Sequence, residues 1–377
     1  MPIPFYRHDL GQEELDAVAE VLRGEILTTG DAVREFERRF AAYLQRRRAV
    51  GMSSATGGLH LMLTALGIGP GDEVITTPLS FIATATAIVQ AGATPVFVDV
   101  EEDTGNLDAS RIEAAITPRT RAIIPVHLYG QMVDMVAIKA IADHHGLEII
   151  EDAAHCVEGA RDGLRPGEAS AGACFSFYAT KNLSCGEGGA IATDRADLAD
   201  SIALMSVHGM NKTAADRQRH GYSHWDMEVF GWKYNMSNIQ AALLLPQFQR
   251  LDRKTEERRH LAVRYTELLA GIPGITLPVI RPGCDHAWHL FVIRSQAMAR
   301  DAMVERLIEA KIGVAVNYRP IHLMRWFRDR WDYAPGDFPV AERWGDEVLS
   351  VPFYPGMGDQ TVANVADCIR AMVNGTC

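Results

Sequence analysis

Four groups with chemical potential lie directly after stretches that predict β-strands. Lys181 follows the apolar run in "CFSFYATKNLSCGEG", Asp152 ends "LEIIED", and Phe81 follows "DEVITTPLS". The segment "MSSATGG" places hydroxyls and small residues between a predicted strand and a helix N-terminus, where free N–H groups and the helix dipole attract anions. A lysine amine, a carboxylate, an anion site and a flat ring are what pyridoxal phosphate requires for its Schiff base, ring nitrogen, phosphate and ring face. The pattern therefore predicts a pyridoxal phosphate site.

Each of these groups also has an ordinary structural interpretation. An acidic residue or a hydroxyl after a strand is usually a helix cap, a phenylalanine is usually core, and a lone lysine is usually solvated. Together, at successive strand ends, they exceed what helix capping explains.

Other chemistries lack their motifs. The sequence contains neither a phosphate-binding G-x-x-x-x-G-K-[ST] loop nor H-E-x-x-H. The pair His286 and His289 in "HAWH" is predicted to lie on a strand with the two side chains on opposite faces, so no metal site is expected. His155 and Asp152 could serve a serine triad, but no G-x-S-x-G elbow supports that alternative.

From about residue 48 the chain alternates apolar runs with amphipathic segments of helical length. This alternation predicts βα units and a mostly parallel buried sheet, hence an α/β fold class. The expected helices include "ATGGLHLMLTALGIG", "SFIATATAIVQAGA", "DASRIEAAI" and "DMVAIKAIADHHG", and Gly67, Gly92 and Gly146 are placed to end three of them. In such sheets ligands bind at the C-terminal ends of the strands, where the candidate residues are predicted to lie.

The pattern changes near residue 245, where a long amphipathic helix is expected, interrupted near Pro246. Strand-like "HAWHLFVIR" and "VAVNY" follow, together with helical "DAMVERLIEAKIG" and "DQTVANVADCIRAMV". We therefore predict a large domain over residues 1–244 and a smaller α+β domain over residues 245–377. An N-terminal segment that packs on the small domain is compatible with this division.

Composition limits the function classes. The formal net charge of -11 over 377 residues argues against a general nucleic-acid binder. No apolar stretch reaches about 18 residues, so no membrane span is expected, and no secretory signal is visible. The six cysteines, Cys377 included, form no C-x-x-C pair. Their spacing favours reduced thiols in a cytoplasmic protein.

The chain also resembles a known family over nearly its whole length. "EDAAH" and "FSFYATKNLSCGEGGAIAT" are similar to the cofactor segment of the DegT/DnrJ/StrS nucleotide-sugar aminotransferases, and "VGMSSATGGLHLML", "GDEVITTPLSF" and "GWKYNMSNIQAAL" extend the similarity in collinear order. "SSAT", "KYNM" and "HAWHLF" resemble in particular the branch that makes UDP-4-amino-4-deoxy-L-arabinose. "HLYGQ" at 127–131, Phe81, and Asn238 in place of an acid depart from that branch or from the family pattern, as do Leu244 and Pro246.

The resemblance implies an aspartate-aminotransferase-like fold (fold type I), a homodimer and a cofactor at the subunit interface. By motif, Lys181 would form the Schiff base, Asp152 would hold the pyridine N–H, and Phe81 would cover the ring. The remaining implied contacts are His155 near the ring 3-hydroxyl, Ala55, Thr56 and Ser176 at the phosphate, Asn235 at the phosphate from the other subunit, and Thr29, Gly30 and His322 near the sugar nucleotide.

The implied reaction is amino transfer from a donor, L-glutamate by resemblance, through pyridoxamine phosphate to a keto group at C4 or C3 of a nucleotide-linked sugar. The product would serve a surface glycan, lipid A or an antibiotic. Two alternatives use the same fold: a sugar dehydratase and a non-catalytic sensor of cofactor or nucleotide sugar. Relatives that dehydrate carry a histidine in place of the lysine, so Lys181 disfavours the first, and the complete set of cofactor-binding residues disfavours the second.

Overall fold

The computed structural model describes residues 2–212 and 224–375, with a seven-stranded sheet at its centre. Its strands lie in the order β1-β8-β7-β5-β4-β2-β3. They are β1 (Arg48–Met52), β2 (Glu73–Thr76), β3 (Thr94–Phe97), β4 (Thr120–Ile124), β5 (Glu148–Asp152), β7 (Gly172–Ser176) and β8 (Gly189–Thr193). Strand β8 runs antiparallel to both its neighbours, and the other adjacent strands run parallel. This is the sheet of fold type I, as predicted.

Helices flank this sheet and continue beyond it. Those in the first part of the chain are Gln12–Arg23, Asp31–Leu44, Ala55–Ala65, Ala83–Gln90, Met135–His145 and Ala196–Met205. Those that follow are Asn238–Leu244, Leu251–Leu269, Arg300–Glu309, Arg325–Trp331, Pro339–Glu347 and Asp359–Val373. Their limits follow local chemistry: the Asp134 carboxylate caps the helix 135–145, and Gly146 ends it at φ 65°. Pro246 falls in a 3₁₀ segment, Leu245–Arg250, between two of these helices, where the interruption was predicted.

Three local predictions were wrong. Residues 108–116 form two 3₁₀ turns, because the Asp108 carboxylate accepts from the Ser110 N–H and the turns continue with i→i+3 bonds. "VAVNY" contributes only an isolated bridge between Ala315 and Ser350, since the chain then leaves the strand Val348–Val351 to line a cavity. "HAWH" lies before the strand Phe291–Ser295, because Trp288 adopts φ 48° and turns the chain.

A second, antiparallel sheet lies in the C-terminal part of the chain. Strand β11 (Phe291–Ser295) pairs with β12 (Val348–Val351) and with β9 (Ile275–Thr276), and a separate ribbon joins β6 (Ala160–Arg161) to β10 (Cys284–Asp285). An apolar cluster packs under the second sheet against the helices 251–269, 300–309 and 359–373. The boundary between residues 244 and 245 stays a prediction.

The N-terminal segment packs on this C-terminal part. The Ile3 N–H donates to the Lys311 carbonyl at 2.9 Å, and the Gly313 N–H donates to the Ile3 carbonyl at 2.8 Å. The Ile3 side chain packs against the C-terminal apolar cluster. The N-terminal segment thus contacts the chain beyond residue 244, and its packing on a separate small domain stays a prediction.

Cys156, Cys174 and Cys185 are buried free thiols. Cys377 lies outside the described residues. Within residues 2–212 and 224–375, every helix is too short or too polar to cross a bilayer.

Candidate active site

A cavity of about 480 Å³ lies at the C-terminal ends of β5 and β7, beside the start of the helix 55–65. The structure thus brings together groups that the sequence separates by up to 126 positions. Seven of the predicted residues line the cavity: Ala55, Thr56, Phe81, Asp152, His155, Ser176 and Lys181.

The Lys181 amine lies in the wall of this cavity. Its Nζ is 3.4 Å from Nε2 of His289. Burial lowers the pKa of the Lys181 amine to about 7, and the charge of Asp152 opposes that effect. An amine with a pKa near neutrality can be a nucleophile or a proton carrier in ordinary conditions, which a solvated lysine cannot.

The Asp152 carboxylate is buried at the end of β5. The Thr84 hydroxyl donates to its Oδ2 at 2.7 Å, and the Ala154 N–H donates to Oδ1 at 3.1 Å. Burial raises the pKa of Asp152, while these two hydrogen bonds and the Lys181 charge favour the ionised form. A carboxylate in this environment can hold a proton on a ligand nitrogen.

The start of the helix 55–65 forms an anion cradle. The Ser54 hydroxyl accepts from the Gly57 N–H at 3.1 Å, while the N–H groups of Ala55 and Thr56 precede any intrahelical acceptor. A Cβ on Gly189 would lie 2.4 Å from the Ser54 carbonyl carbon and 2.5 Å from the Ala55 nitrogen. The start of β8 therefore approaches the cradle this closely only because residue 189 lacks a side chain. Ser176, at the end of β7, lines the same part of the site.

His155 and Tyr318 form one side of the cavity. Nδ1 of His155 accepts from the Tyr129 N–H at 3.2 Å, and Nε2 lies 3.1 Å from the Tyr318 hydroxyl. Burial holds the pKa of His155 well below its usual value, so the ring is neutral and its proton is on Nε2. The Phe81 ring, 56% exposed, lies 6.1 Å from the Tyr318 ring at the cavity mouth.

Thr29, Gly30 and Asn235 lie outside the cavity lining of their own chain. The Asn235 amide donates to the Thr29 hydroxyl at 2.7 Å, and that hydroxyl donates to the Met236 carbonyl at 2.7 Å. Asn235 also pairs with Met52, at the end of the strand that leads into the anion cradle. These three residues form a separate polar group beside the cradle.

His322 does not line the cavity either. Its side chain is fully buried, its Nε2 lies 3.0 Å from Oε1 of Glu342, and its ring packs against Phe338. The expectation that His322 approaches a substrate does not agree with this position.

Several cavity residues were missed by sequence reasoning, namely Thr84, which bonds Asp152, and His289, Asn317 and Tyr318 in the cavity wall. His289 was considered only as a metal ligand. Its proximity to Lys181 spans 108 positions and depends on the turn before β11. No local spacing could have indicated it.

The residues present fit pyridoxal phosphate. The cavity presents an amine of lowered pKa, a buried carboxylate with two donors, and a helix start that a glycine leaves open. These are the groups that would meet the aldehyde, ring nitrogen and phosphate of that cofactor.

Comparison with known proteins identifies the family. The model of the DegT/DnrJ/EryC1/StrS aminotransferase family matches residues 8–370, and the chain belongs to that family. It is a pyridoxal-phosphate-dependent sugar aminotransferase.

Individual relatives match over the full length. The spore coat polysaccharide biosynthesis protein SpsC of Bacillus subtilis (strain 168) is 42% identical, over 99% of this chain and 97% of SpsC. The sugar aminotransferase Spr1654 of Streptococcus pneumoniae, solved in its PMP form, is 27% identical with a TM-score of 0.94 over 100% of both chains. DesI, solved in the presence of its TDP-sugar product, is 31% identical with a TM-score of 0.88, over 100% of this chain and 94% of DesI. These relatives do not single out the arabinose-type branch suggested by the sequence motifs.

Proposed function

We propose that the protein transfers an amino group from L-glutamate to a keto group, at C4 or C3, of a sugar linked to a nucleoside diphosphate. The observation that carries the proposal is the Lys181 amine and the Asp152 carboxylate facing one cavity beside an open helix start. The TDP-sugar product of DesI supports a nucleotide-linked substrate.

The cavity residues that were predicted from the sequence each have a role in this proposal. Pyridoxal phosphate, when bound, supplies the electron sink that makes the donor α-proton acidic. The N–H groups of Ala55 and Thr56 and the Ser176 hydroxyl would bind the phosphate, and Asp152 would keep a proton on the ring nitrogen. Phe81 would cover one ring face, and His155 would be the residue nearest the ring 3-oxygen.

Lys181 acts as the general base and general acid. Its free Nζ would take the donor α-proton as general base and, as general acid, would deliver it to the cofactor carbon on the other side of the nitrogen. A pKa of about 7 suits both directions, because neither the amine nor the ammonium is strongly disfavoured near neutral pH.

We propose further that two chains form each site. Thr29, Gly30 and Asn235 would serve the neighbouring chain, with Asn235 at its phosphate. Exposed apolar side chains precede Asn235 in the chain, including Phe230 at 68% and Trp225 at 50% exposure. Exposed aromatic residues of this kind are typical of surfaces that bind another protein.

The setting proposed is the cytoplasm, with a product used in a surface glycan. The buried thiols and the similarity to SpsC, a spore coat polysaccharide biosynthesis protein, support this setting. Lipid A and antibiotic sugars, including the arabinose-type product, are the alternatives to be distinguished by the acceptor.

Absorbance spectroscopy tests the proposal. Purified protein with pyridoxal phosphate should show the band of the lysine-bound cofactor, and L-glutamate should convert it to the pyridoxamine phosphate band. Lys181→Ala should bind cofactor without that band, whereas Lys139→Ala, at an exposed ion pair with Asp143, should behave as wild type. Protein loaded with pyridoxamine phosphate is then offered UDP-, TDP- and GDP-linked 4-keto and 3-keto sugars. If wild type forms no lysine-bound band, or if no keto sugar is aminated, the proposed function is wrong.

A further inference from the structure

His289 lies in the cavity wall between two groups of the site. Its Nε2 is 3.4 Å from Nζ of Lys181, and its ring centroid is 4.4 Å from that of His155. The side chain is buried, with 4% of the residue exposed. His289 therefore contacts the one lysine of the cavity lining without being part of the cofactor set assigned above.

The backbone around His289 is fixed from one side by the segment after β4. The Ala287 N–H donates to the Gly130 carbonyl at 2.8 Å, and the His289 N–H donates to the Tyr129 carbonyl at 3.0 Å. A Cβ on Gly130, which has φ +109°, would lie 2.9 Å from the Trp288 nitrogen. The close approach of these two segments leaves the histidine little freedom to move.

Two side chains, one of them next to Lys181 in the chain, hold the turn at residues 287–288 from the other side. The Asn182 amide, one residue after Lys181, donates to the Ala287 carbonyl at 2.8 Å. The Arg258 guanidinium donates to the Trp288 carbonyl at 3.2 Å. The segments that carry Lys181 and His289 are therefore joined by the Asn182 side chain as well as by the contact between Nζ and Nε2.

A role in packing alone does not explain why residue 289 is a histidine. Nδ1 of His289 is buried and has no hydrogen-bond partner among the described residues. An unpartnered buried polar atom gives up its hydrogen bond to water without replacing it, a cost that an apolar side chain of similar size would avoid. Buried polar groups left in this state call for an explanation such as a catalytic role.

The protonation states define what the contact can do. Burial, with the nearby charge of Lys181, holds the pKa of His289 well below its usual value, so the imidazole is neutral. A buried N–H without an acceptor is rarer than a buried acceptor without a donor, so the unpartnered Nδ1 favours the tautomer whose ring proton is on Nε2, which faces Lys181. Above its pKa of about 7 the Lys181 amine has a free lone pair that can accept this proton in a hydrogen bond.

We propose that His289 is a positioning residue for Lys181: its Nε2–H donates to the free amine and holds Nζ where it takes and returns the substrate proton. The inference rests on the proposed function. Only a lysine amine that is released from the cofactor and binds it again needs a hydrogen bond that keeps Nζ in place.

Two variants separate this role from packing. The amide nitrogen of glutamine occupies nearly the position of Nε2, whereas that of asparagine corresponds to Nδ1 and cannot reach Lys181. In single turnovers with L-glutamate, His289→Asn should be slower by about 10- to 100-fold, as expected for a misplaced catalytic group. His289→Gln should stay within a few-fold of wild type, and the apparent affinity for L-glutamate should change little in either variant.

A second measurement uses cofactor-free protein at pH 8. Acetic anhydride labelling of Lys181, measured by peptide mass spectrometry relative to the exposed Lys139, reports whether the lone pair is engaged. Labelling should increase several-fold in His289→Asn and remain at the wild-type level in His289→Gln. Equal behaviour of the two variants, whether both like wild type or both impaired, would overturn the role of Nε2. If wild type itself fails to react with L-glutamate, the proposed function fails, and the labelling ratio still decides the contact.

Discussion

The hydroxyl of Thr84 donates a 2.7 Å hydrogen bond to Oδ2 of Asp152. The two residues come from the helix after β2 and from the end of β5, and both are buried. Since burial raises the pKa of Asp152, this hydrogen bond is one of the interactions that keep the carboxylate ionised.

Replacing Thr84 by valine should therefore impair the reaction without changing the shape of the site. A hydrogen bond to a charged group contributes about 1.5–3 kcal/mol, so the L-glutamate half-reaction should slow by about tenfold or more. Stopped-flow absorbance measures this rate. Thr84→Ser, which keeps the donor, is the control, and similar rates for the valine and serine variants would contradict the prediction.

Lys181→Met should change the pH dependence of stability in cofactor-free protein. Between pH 7 and about pH 10.5 the unfolded chain binds more protons at Lys181 than the folded chain, so wild-type stability rises with pH in that window. The methionine variant lacks this contribution. Its thermal midpoint should exceed that of wild type by a few degrees below pH 7, and the difference should shrink towards pH 10. Lys139→Met, at an exposed site, is the control; a difference independent of pH would show that Lys181 has an ordinary pKa.

Gly189→Ala should damage the anion cradle. The added Cβ would lie 2.4 Å from the Ser54 carbonyl carbon, so either the start of β8 or the helix start must move. We expect pyridoxal phosphate to bind at least about tenfold more weakly, equivalent to about 1.4 kcal/mol, as measured by fluorescence titration. Gly69→Ala is the matched control, because its Cβ would meet only the Ala91 carbonyl oxygen at 3.4 Å. Unchanged affinity in Gly189→Ala would mean that the cradle tolerates the displacement.

Mixing two inactive variants tests the shared site. If Asn235 serves the neighbouring chain, a heterodimer of Lys181→Ala and Asn235→Ala has one intact site, composed of Lys181 from one chain and Asn235 from the other. Random re-association would restore about a quarter of wild-type activity, because about half of the dimers are heterodimers with one working site of two. No recovery after verified subunit exchange would place Asn235 in the site of its own chain.

The parts of the fold predicted from sequence are those set by local patterns. Alternating apolar runs and amphipathic segments indicated the parallel strands, and Asp152 was expected at the edge of the sheet where β5 ends. The 3₁₀ turns at 109–115 and the turn at Trp288 were missed, since a few capping bonds or one left-handed residue decide them.

The residues of the candidate site likewise include some that could be predicted from the sequence and some that could not. Groups at strand ends, such as Lys181 and Ser176, could be predicted because the topology of a parallel sheet brings strand ends together. Thr84 and His289 could not, because their importance depends on distances to Asp152 and Lys181 across 68 and 108 positions. His322 matched a motif, yet its burial against Glu342 is a property of tertiary packing.

The N-terminal segment links the two sheets mechanically. Ile3 is hydrogen-bonded to residues 311–313, while Phe5, two positions later, lines the cavity above the parallel sheet. A Cβ on Gly313 would lie 2.5 Å from the Phe5 nitrogen, so the two segments pack too closely for a side chain at residue 313. We therefore expect a displacement of the C-terminal part relative to the parallel sheet to shift Phe5 in the cavity wall and to change the volume open to a substrate.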